Sequence, residues 1–302
     1  MNKQHHTLIV IAGPTASGKT SVAIDVASHF NTEIISADSR QFYKEIPIGT
    51  AAPDTKELAK VKHHFVGHLS IFDDYNVSRF EKEVLTLLKQ KFHQHSLMVM
   101  AGGSGMYIDA VCNGIDELPD PDEKIRIGLN QTLSEKGIEA LQQQLKILDP
   151  SYYREVDLQN PKRLMRAIEV CLQTGKRYSD LRKNKPVFRN FNIIKIGLTL
   201  SRETLYSRIN RRTDNMITNG WIDEARAVYQ YKHLNSLNTV GYKELFSFIS
   251  GEWPLETAIE KIKTNTRRYA KRQLTWFKRD KDIHWFQPDN IQNILRYIES
   301  KL

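Results

Sequence analysis

The sequence predicts an α/β fold in which a parallel β-sheet is flanked by helices. Two observations lead to this prediction. Short apolar runs alternate with helical segments in the first third of the chain, and each run ends in a cluster of glycine or polar residues. Alternating strands and helices are typical of βαβ units, whose ligands bind at the carboxyl ends of the parallel strands. We therefore expect the polar clusters to meet at one edge of the sheet.

The first strand, Leu8–Ala12, leads into the most specific motif of the chain. The next eight residues fit G-x-x-x-x-G-K-T and are Gly13, Pro14, Thr15, Ala16, Ser17, Gly18, Lys19 and Thr20. In such a P-loop, backbone N–H groups surround linked phosphates, the lysine adds positive charge and the threonine hydroxyl is a ligand for Mg²⁺. A helix is expected from Ser21 to about Phe30. The motif predicts a site for ATP or another phosphorylated molecule, with Mg²⁺ as cofactor, and leaves the molecule open.

Two further strands end in polar clusters. Residues 33–37 lead into Asp38, Ser39, Arg40 and Gln41, and residues 97–101 lead into Gly102-Gly103-Ser104-Gly105. A helix is expected between them, from about Ser78 to His93. The agreement of three such strand ends is stronger evidence for one ligand site than any of them alone.

The remaining chain divides into two parts. Residues 116–190 are mostly helical, open with a proline- and aspartate-rich stretch and approach their end in the basic run 182–186. We predict an inserted all-helical subdomain there, between a P-loop α/β core at 1–115 and a return strand with C-terminal helices at 191–302. The return strand is expected at 193–198, and the chain is expected to be helical from Arg202 onward.

Composition limits the partners. The 302 residues include 44 Lys and Arg against 35 Asp and Glu, which gives a net charge of +9. Such an excess favours a polyanion such as nucleic acid or an anionic membrane, although many basic enzymes have neither partner. The two cysteines are too few for a disulfide framework and fit a reducing cytoplasm. Since no apolar stretch is long enough to span a membrane, and the N-terminus lacks the core of a signal peptide, we expect a cytoplasmic protein.

The C-terminal segment 266–279 combines arginines, lysines and aromatic residues. At helical spacing, Arg268 and Arg272 share a cationic face, while Tyr269, Trp276 and Phe277 offer apolar or stacking surface. Such a face suits RNA phosphates and bases. From charge alone, an ordinary amphipathic helix with a solvated face and aromatic residues in the core is the favoured alternative.

Together, the P-loop, the Asp38–Gln41 strand end, Gly102–Tyr107, Gly241–Glu244 and the Tyr269–Phe277 stretch resemble the tRNA dimethylallyltransferase family, in order along most of the chain. The resemblance implies a kinase-like P-loop fold that binds dimethylallyl diphosphate and transfers its five-carbon group to N6 of the adenosine 3′ to certain anticodons. Ser104 and Met106 stand where the family more often has Thr and Leu. Because no zinc-finger extension follows Leu302, the bacterial type is the closer resemblance.

The resemblance also implies roles for single residues. Arg212 matches an arginine that contacts the diphosphate, and Asp38 matches the carboxylate that accepts the proton of the adenine amino group. With Thr20, these two form the expected catalytic set. By itself, an aspartate at a strand end is more often a cap or a neighbour of Mg²⁺.

Expected tRNA contacts follow in the same way. Asp38–Gln41 would surround an extruded adenine, since chemistry on a stacked base requires flipping it out. Without the resemblance, Lys162 and Arg163 would be interpreted as a solvated helix start. The other expected tRNA-contacting residues are Ser104, Arg126, Gln159, Asn160, Pro161, Lys162, Arg163, Arg268 and Arg272.

A P-loop would also be present in three other kinds of protein: a small-molecule kinase, an isopentenyltransferase acting on free adenine nucleotide, and an NTP-dependent RNA-binding ATPase. The basic C-terminal segment and the helical insertion argue against the first two, because a nucleotide-sized acceptor needs no such surface. The ATPase should show a further acidic strand end for water activation, and only Asp38 is available. By resemblance, a monomer is expected.

Overall fold

The computed structural model describes residues 6–183, 185 and 187–302. Asn184 and Pro186, two members of the basic run, therefore lie outside the described residues. The chain divides into two compact units. The core unit contains the described residues up to Cys112 and those from Arg189 to Leu302, and the inserted unit is Asn113–Phe188. The tRNA-binding role that the sequence assigns to the insertion stays a prediction.

The core unit is built on a six-stranded sheet with strand order β3-β2-β4-β1-β5-β6, in which every pair is parallel. The parallel α/β sheet expected from the sequence is confirmed. The strands are β1 (Thr7–Ala12), β2 (Ile34–Ser36), β3 (His63–His64), β4 (Leu97–Gly102), β5 (Asn192–Leu198) and β6 (His284–Phe286).

The helices follow the expected distribution, with the inserted unit helical and a helical segment after Arg202. In chain order they are α1 (Lys19–His29), α2 (Pro47–Thr50), α3 (Thr55–Lys60), α4 (Val77–Lys91), α5 (Gly105–Asn113), α6 (Glu123–Leu148), α7 (Pro150–Tyr153), α8 (Pro161–Thr174), α9 (Tyr178–Leu181), α10 (Arg202–Thr218), α11 (Trp221–Val228), α12 (Tyr242–Ile249), α13 (Leu255–Phe277) and α14 (Ile291–Glu299). Among the described residues, no helix has the length and apolar character needed to cross a membrane.

Both faces of the sheet are buried, which explains the continuous apolar runs. In β1, Leu8 and Val10 belong to one core cluster, while Ile9 and Ile11 belong to the cluster on the opposite face. Successive strand residues point to opposite faces, so a strand covered on both sides is apolar throughout. This burial fixes the position of β1 at the centre of the sheet and hence that of the loop after it.

Two short strands were not predicted from the sequence. His63–His64 and His284–Phe286 pair only at the two edges of the sheet, with β2 and β5 respectively. His63–His64 has no apolar or β-branched residue, and His284–Phe286 has two aromatic residues that favour a strand but is only three residues long. Pairing with an existing strand decides their conformation.

The inserted unit has its own core. Leu141, Leu145, Leu164 and Ile168 are fully buried between α6 and α8. Within α6, Gly137 has a φ of 75°, so the helix is interrupted there.

Candidate active site

The P-loop turns between the end of β1 and the start of α1. Gly18, at the N-cap of α1, has a φ of 95° and offers no side chain to cap the helix. The first N–H groups of α1 are therefore left for an anion. The Ser17 hydroxyl is buried and has no hydrogen-bond partner among the described residues. A phosphate oxygen would satisfy it.

A cavity of about 550 Å³ opens at this edge of the core unit. Of the residues predicted for the site, it is lined by Thr15, Ala16, Gly18, Lys19, Thr20, Asp38, Gln41 and Arg212. Gly102, at the end of β4, and Arg208, on α10, also line it. The three strand ends singled out in the sequence thus meet at one cavity, as expected for a parallel sheet.

Lys19 and Arg212 are two of the cations that line the cavity. The Lys19 ammonium donates a 2.7 Å hydrogen bond to the Pro14 carbonyl, and an Arg212 Nη1 donates to the Thr15 hydroxyl at 3.3 Å. The pKa of Lys19 is lowered to about 8, mainly by burial; Asp38 raises it and Arg212 lowers it, each by less than burial does. Burial also lowers the pKa of Arg212. Two desolvated cations beside a helix N-terminus form a strong site for a multiply charged anion.

Asp38 is half-buried in the same cavity. Its Oδ1 accepts a 3.1 Å hydrogen bond from the Arg40 backbone N–H, and the carboxylate has no other hydrogen-bond partner among the described residues. The capping contact considered for a strand-end aspartate is therefore present, but it uses one oxygen. The second oxygen is left to accept a bond or a proton from a substrate.

The other residues of this strand end are held by the protein itself. The Ser39 N–H donates to the Ser104 hydroxyl at 3.0 Å, and Arg40 donates to the carbonyls of Asn235 and Ser236 at 3.0 and 3.1 Å. Gln41 donates to the Ala51 carbonyl at 3.0 Å. These bonds fix the shape of the loop around Asp38.

Gln273 is a site-forming residue that sequence reasoning missed. Its Oε1 accepts a 2.8 Å hydrogen bond from the Thr15 N–H, and its Nε2 donates to the Gly103 carbonyl at 2.8 Å. The side chain is buried, and a Cβ on Gly103 would lie 2.3 Å from Nε2. Gln273 lies on α13, far away in sequence, so no local pattern relates it to the P-loop.

The Gly241–Glu244 segment that contributed to the family resemblance is structural. The buried Tyr242 hydroxyl donates to Glu224, and the same carboxylate accepts the N–H groups of Ile48 and Gly49, each at 2.8 Å. Glu224 holds α2 through these bonds, and Gln41 donates to Ala51, the residue after α2. The network therefore stabilises the Asp38–Gln41 loop through α2.

The cationic face of α13 is present. Arg268 and Arg272 are exposed, and the Arg272 guanidinium lies over the Tyr269 ring, 5.7 Å from its centroid. Phe277 is 2 % exposed and belongs to the core, so of the two expected uses, apolar or stacking surface, its side chain has the apolar one. Trp276 donates to Asp109 at 2.8 Å and packs on Gly105.

The remaining tRNA candidates lie in the inserted unit. Gln159, Asn160, Pro161, Lys162 and Arg163 form the start of α8, where the Asn160 side chain accepts the Arg163 N–H at 3.3 Å. Arg126 donates to the buried Glu169 at 2.8 Å, although half of its side chain stays exposed. The cap of α8 joins the Asn160 side chain to the backbone N–H of Arg163. The side chains of Lys162 and Arg163 are exposed, so this geometry is compatible with an RNA contact.

The residues at the P-loop fit Mg²⁺. Mg²⁺ bound with a phosphorylated ligand takes few protein ligands and keeps water and phosphate oxygens. The Thr20 hydroxyl lines the cavity and has no hydrogen-bond partner among the described residues. Thr20 would hold the ion, which would neutralise the phosphate charge.

The fold and the site define a P-loop α/β protein whose cavity is suited to a phosphorylated molecule opposite a carboxylate. Comparison with known proteins goes further, since the IPP transferase family model matches residues 41–280. The chain belongs to the IPP transferase family. The resemblance inferred from the sequence is thereby confirmed.

Individual relatives agree with this assignment. The tRNA dimethylallyltransferase of Christiangramia forsetii is 57 % identical over 98 % of this chain and 98 % of its own. The crystal structure of the tRNA isopentenylpyrophosphate transferase from Bacillus halodurans has a TM-score of 0.72 at 34 % identity and covers 98 % of this chain and 96 % of its own. A eukaryotic dimethylallyltransferase acting on tRNA has a TM-score of 0.79 at 26 % identity, over 95 % of this chain and 75 % of its own.

Proposed function

We propose that this protein transfers a dimethylallyl group from dimethylallyl diphosphate to N6 of the adenosine at position 37, 3′-adjacent to the anticodon of tRNA, and releases diphosphate. The observation that carries the proposal is one cavity that contains both the P-loop cations and the Asp38 carboxylate. The cations suit a diphosphate, and the carboxylate suits an amino group that must lose a proton. The family and its tRNA-modifying members supply the acceptor.

The donor end of the cavity fits a leaving diphosphate. As the bond from the prenyl carbon to oxygen breaks, negative charge develops on the diphosphate. Lys19, Arg212 and the N–H groups at the start of α1 lie together at this end of the cavity, so only short side-chain movements would bring the two cations to that charge. Thr20 would hold Mg²⁺, which would supply further neutralisation.

The acceptor end fits an adenine taken out of its stack. The nitrogen of the amino group bonds to the prenyl carbon while its proton passes to Asp38. The fixed loop of Ser39, Arg40 and Gln41 would border the base, and the unbonded oxygen of Asp38 would accept from N6. Ser104 holds this loop through Ser39 and contributes by positioning.

The wider tRNA would be bound by basic residues outside the cavity. The exposed Arg268 and Arg272 suit phosphates close to the site, and residues 159–163 with Arg126 suit phosphates or bases on the inserted unit. We expect the protein to act as a monomer in the cytoplasm. Its mass in solution, measured by light scattering, tests the first of these.

One comparison separates the proposal from its rivals. The protein is incubated with dimethylallyl diphosphate or ATP, and with tRNA, adenosine monophosphate or no acceptor. We expect prenylated tRNA only with dimethylallyl diphosphate and tRNA together. ATP turnover without prenyl transfer would favour a kinase or an ATPase, and prenylation of adenosine monophosphate would favour the nucleotide-modifying enzyme. A tRNA with guanosine in place of adenosine 37 is the matched control.

A further inference from the structure

Arg208 is a third arginine of the cavity, beside Arg211 and Arg212, and no sequence motif assigned it a role. It is half-buried, and it makes no hydrogen bond or ion pair with any other described residue. Its Nη1 lies 3.6 Å from the position that a Cβ would take on Gly18. A partly buried guanidinium without an anionic partner is uncommon in proteins. Its position at the start of α1 suggests that the partner is a ligand.

The packing of α10 fixes where Arg208 lies. Leu205 and Ile209 are buried against Ala270 of α13, and Ala16 of the P-loop packs on the same cluster. This contact holds α10 beside the P-loop. Residues four apart in a helix lie on the same face, so Arg208 and Arg212 both line the cavity.

The two arginines serve opposite ends of the loop. Arg212 bonds to Thr15, and Asp38 is the largest charge acting on it. Arg208 lies at Gly18 instead. Because the acceptor is expected at Asp38, the phosphate joined to the prenyl group must be the one nearer Arg212.

We infer that Arg208 binds the terminal phosphate of the donor, while Arg212 contacts the phosphate whose bond to the prenyl carbon breaks. This inference rests on the proposed function. The bond that breaks joins the prenyl carbon to an oxygen of the other phosphate, and the new negative charge develops mainly there. Arg208 therefore acts on donor binding and on retention of the diphosphate product. It contributes little to the chemical step, because its contact is the same before and after bond cleavage.

Calorimetric titration without tRNA tests the inference, since no transfer occurs. The ligands are dimethylallyl diphosphate, dimethylallyl monophosphate and inorganic diphosphate. In Arg208→Ala we expect affinity for both diphosphates to fall about 10- to 100-fold, as for loss of a charge-assisted hydrogen bond. Affinity for the monophosphate should stay within about 3-fold, because that ligand lacks the group Arg208 contacts. Arg208→Lys should recover part of the loss.

The matched control is Arg202→Ala, which removes an exposed arginine from the same helix. Arg202 lies over the Tyr206 ring and outside the cavity, so its loss should leave all three affinities unchanged. Circular dichroism of Arg208→Ala checks that the fold is intact. Unchanged diphosphate affinity, or an equal loss for monophosphate and diphosphate, would overturn the inference. Diphosphate binding is measured without an acceptor, so a failure to prenylate tRNA would contradict the proposed function and leave this test valid.

A kinetic readout separates the two arginines. At saturating donor, the single-turnover rate of Arg208→Ala should stay close to that of the unmodified protein, whereas Arg212→Ala should be slower by on the order of 10²-fold. A similar fall in the single-turnover rate of Arg208→Ala at saturating donor would show that Arg208 acts in the chemical step and would contradict the assignment.

Discussion

The backbone N–H of Thr15 donates to the side-chain oxygen of Gln273 at 2.8 Å, although the two residues are 258 positions apart. The same side chain donates to the Gly103 carbonyl. One amide therefore joins the P-loop to the glycine-rich end of β4. It also attaches both to α13, the helix that presents Arg268 and Arg272.

This relationship predicts that Gln273 positions the donor site. In Gln273→Leu, the buried Gly103 carbonyl and the part-buried Thr15 N–H lose their partners, so we expect stability to fall by about 1–3 kcal/mol for the buried group and by less for the other. Donor KM should rise more than kcat falls, because the P-loop loses its fixed shape. Chemical denaturation and steady-state kinetics measure the two effects. Thr275→Ala, an exposed change on the same helix, should alter neither, and a normal donor KM in Gln273→Leu would refute the positioning role.

The lowered pKa of Lys19 predicts that donor affinity depends on pH. In the free protein this pKa is about 8, and a bound diphosphate raises it because opposite charges favour the protonated amine. Affinity is therefore full below pH 8 and falls as the pH rises through that value. Calorimetry between about pH 7.5 and 9.5 measures it, a range in which the donor's own charge is constant.

Lys19→Met is the control for this dependence. It should bind the donor weakly at every pH and show no decline above pH 8, and its turnover should fall together with its affinity. A decline of the same size in Lys19→Met would assign the titration to another group.

Asp38 gives the sharpest prediction for catalysis. Asp38→Asn keeps the size of the side chain and its bond from Arg40, so tRNA and donor affinity should persist. Turnover should fall roughly 10²–10⁴-fold, the usual contribution of a general base. Single-turnover transfer is measured across a Mg²⁺ titration with tRNA and donor saturating. Recovery of the transfer rate at high Mg²⁺ would show that Asp38 mainly helps to bind the metal ion and is not the base.

The face formed by Arg268 and Arg272 predicts a salt effect. Replacing both by Ala should weaken tRNA binding and lower the log–log salt slope by roughly 0.7–0.9 for each tRNA phosphate that is no longer neutralised. Donor affinity should not change. Lys82→Ala with Lys89→Ala removes two exposed charges from α4, a helix that contributes no residue to the cavity, and serves as the control. An unaltered slope would mean that the face of α13 is merely solvated.

The sequence by itself determined the four central strands of the sheet and the location of the site. A parallel strand buried on both faces has a continuous apolar run, as in Leu8–Ala12, and the phosphate loop follows from spacing within eight residues. Both signals are local. The position of Asp38 at the ligand edge was predicted for the same reason, since it ends a buried strand, whereas its role as a base was implied only by the family resemblance.

Only the tertiary structure decided which distant residues complete the site. Gln273 and Arg208 each lie on helices whose sequences show ordinary amphipathic patterns, and their roles come from the packing of α10 and α13 against the P-loop. Tyr242 and Phe277 show the same limit, since one supports the Asp38 loop through Glu224 and the other is core. Hydrogen bonds and contacts between segments that are far apart in the chain produce no periodic pattern in the sequence. A sequence pattern therefore predicts on which face of its own helix a side chain lies, but not which residues of other elements it contacts.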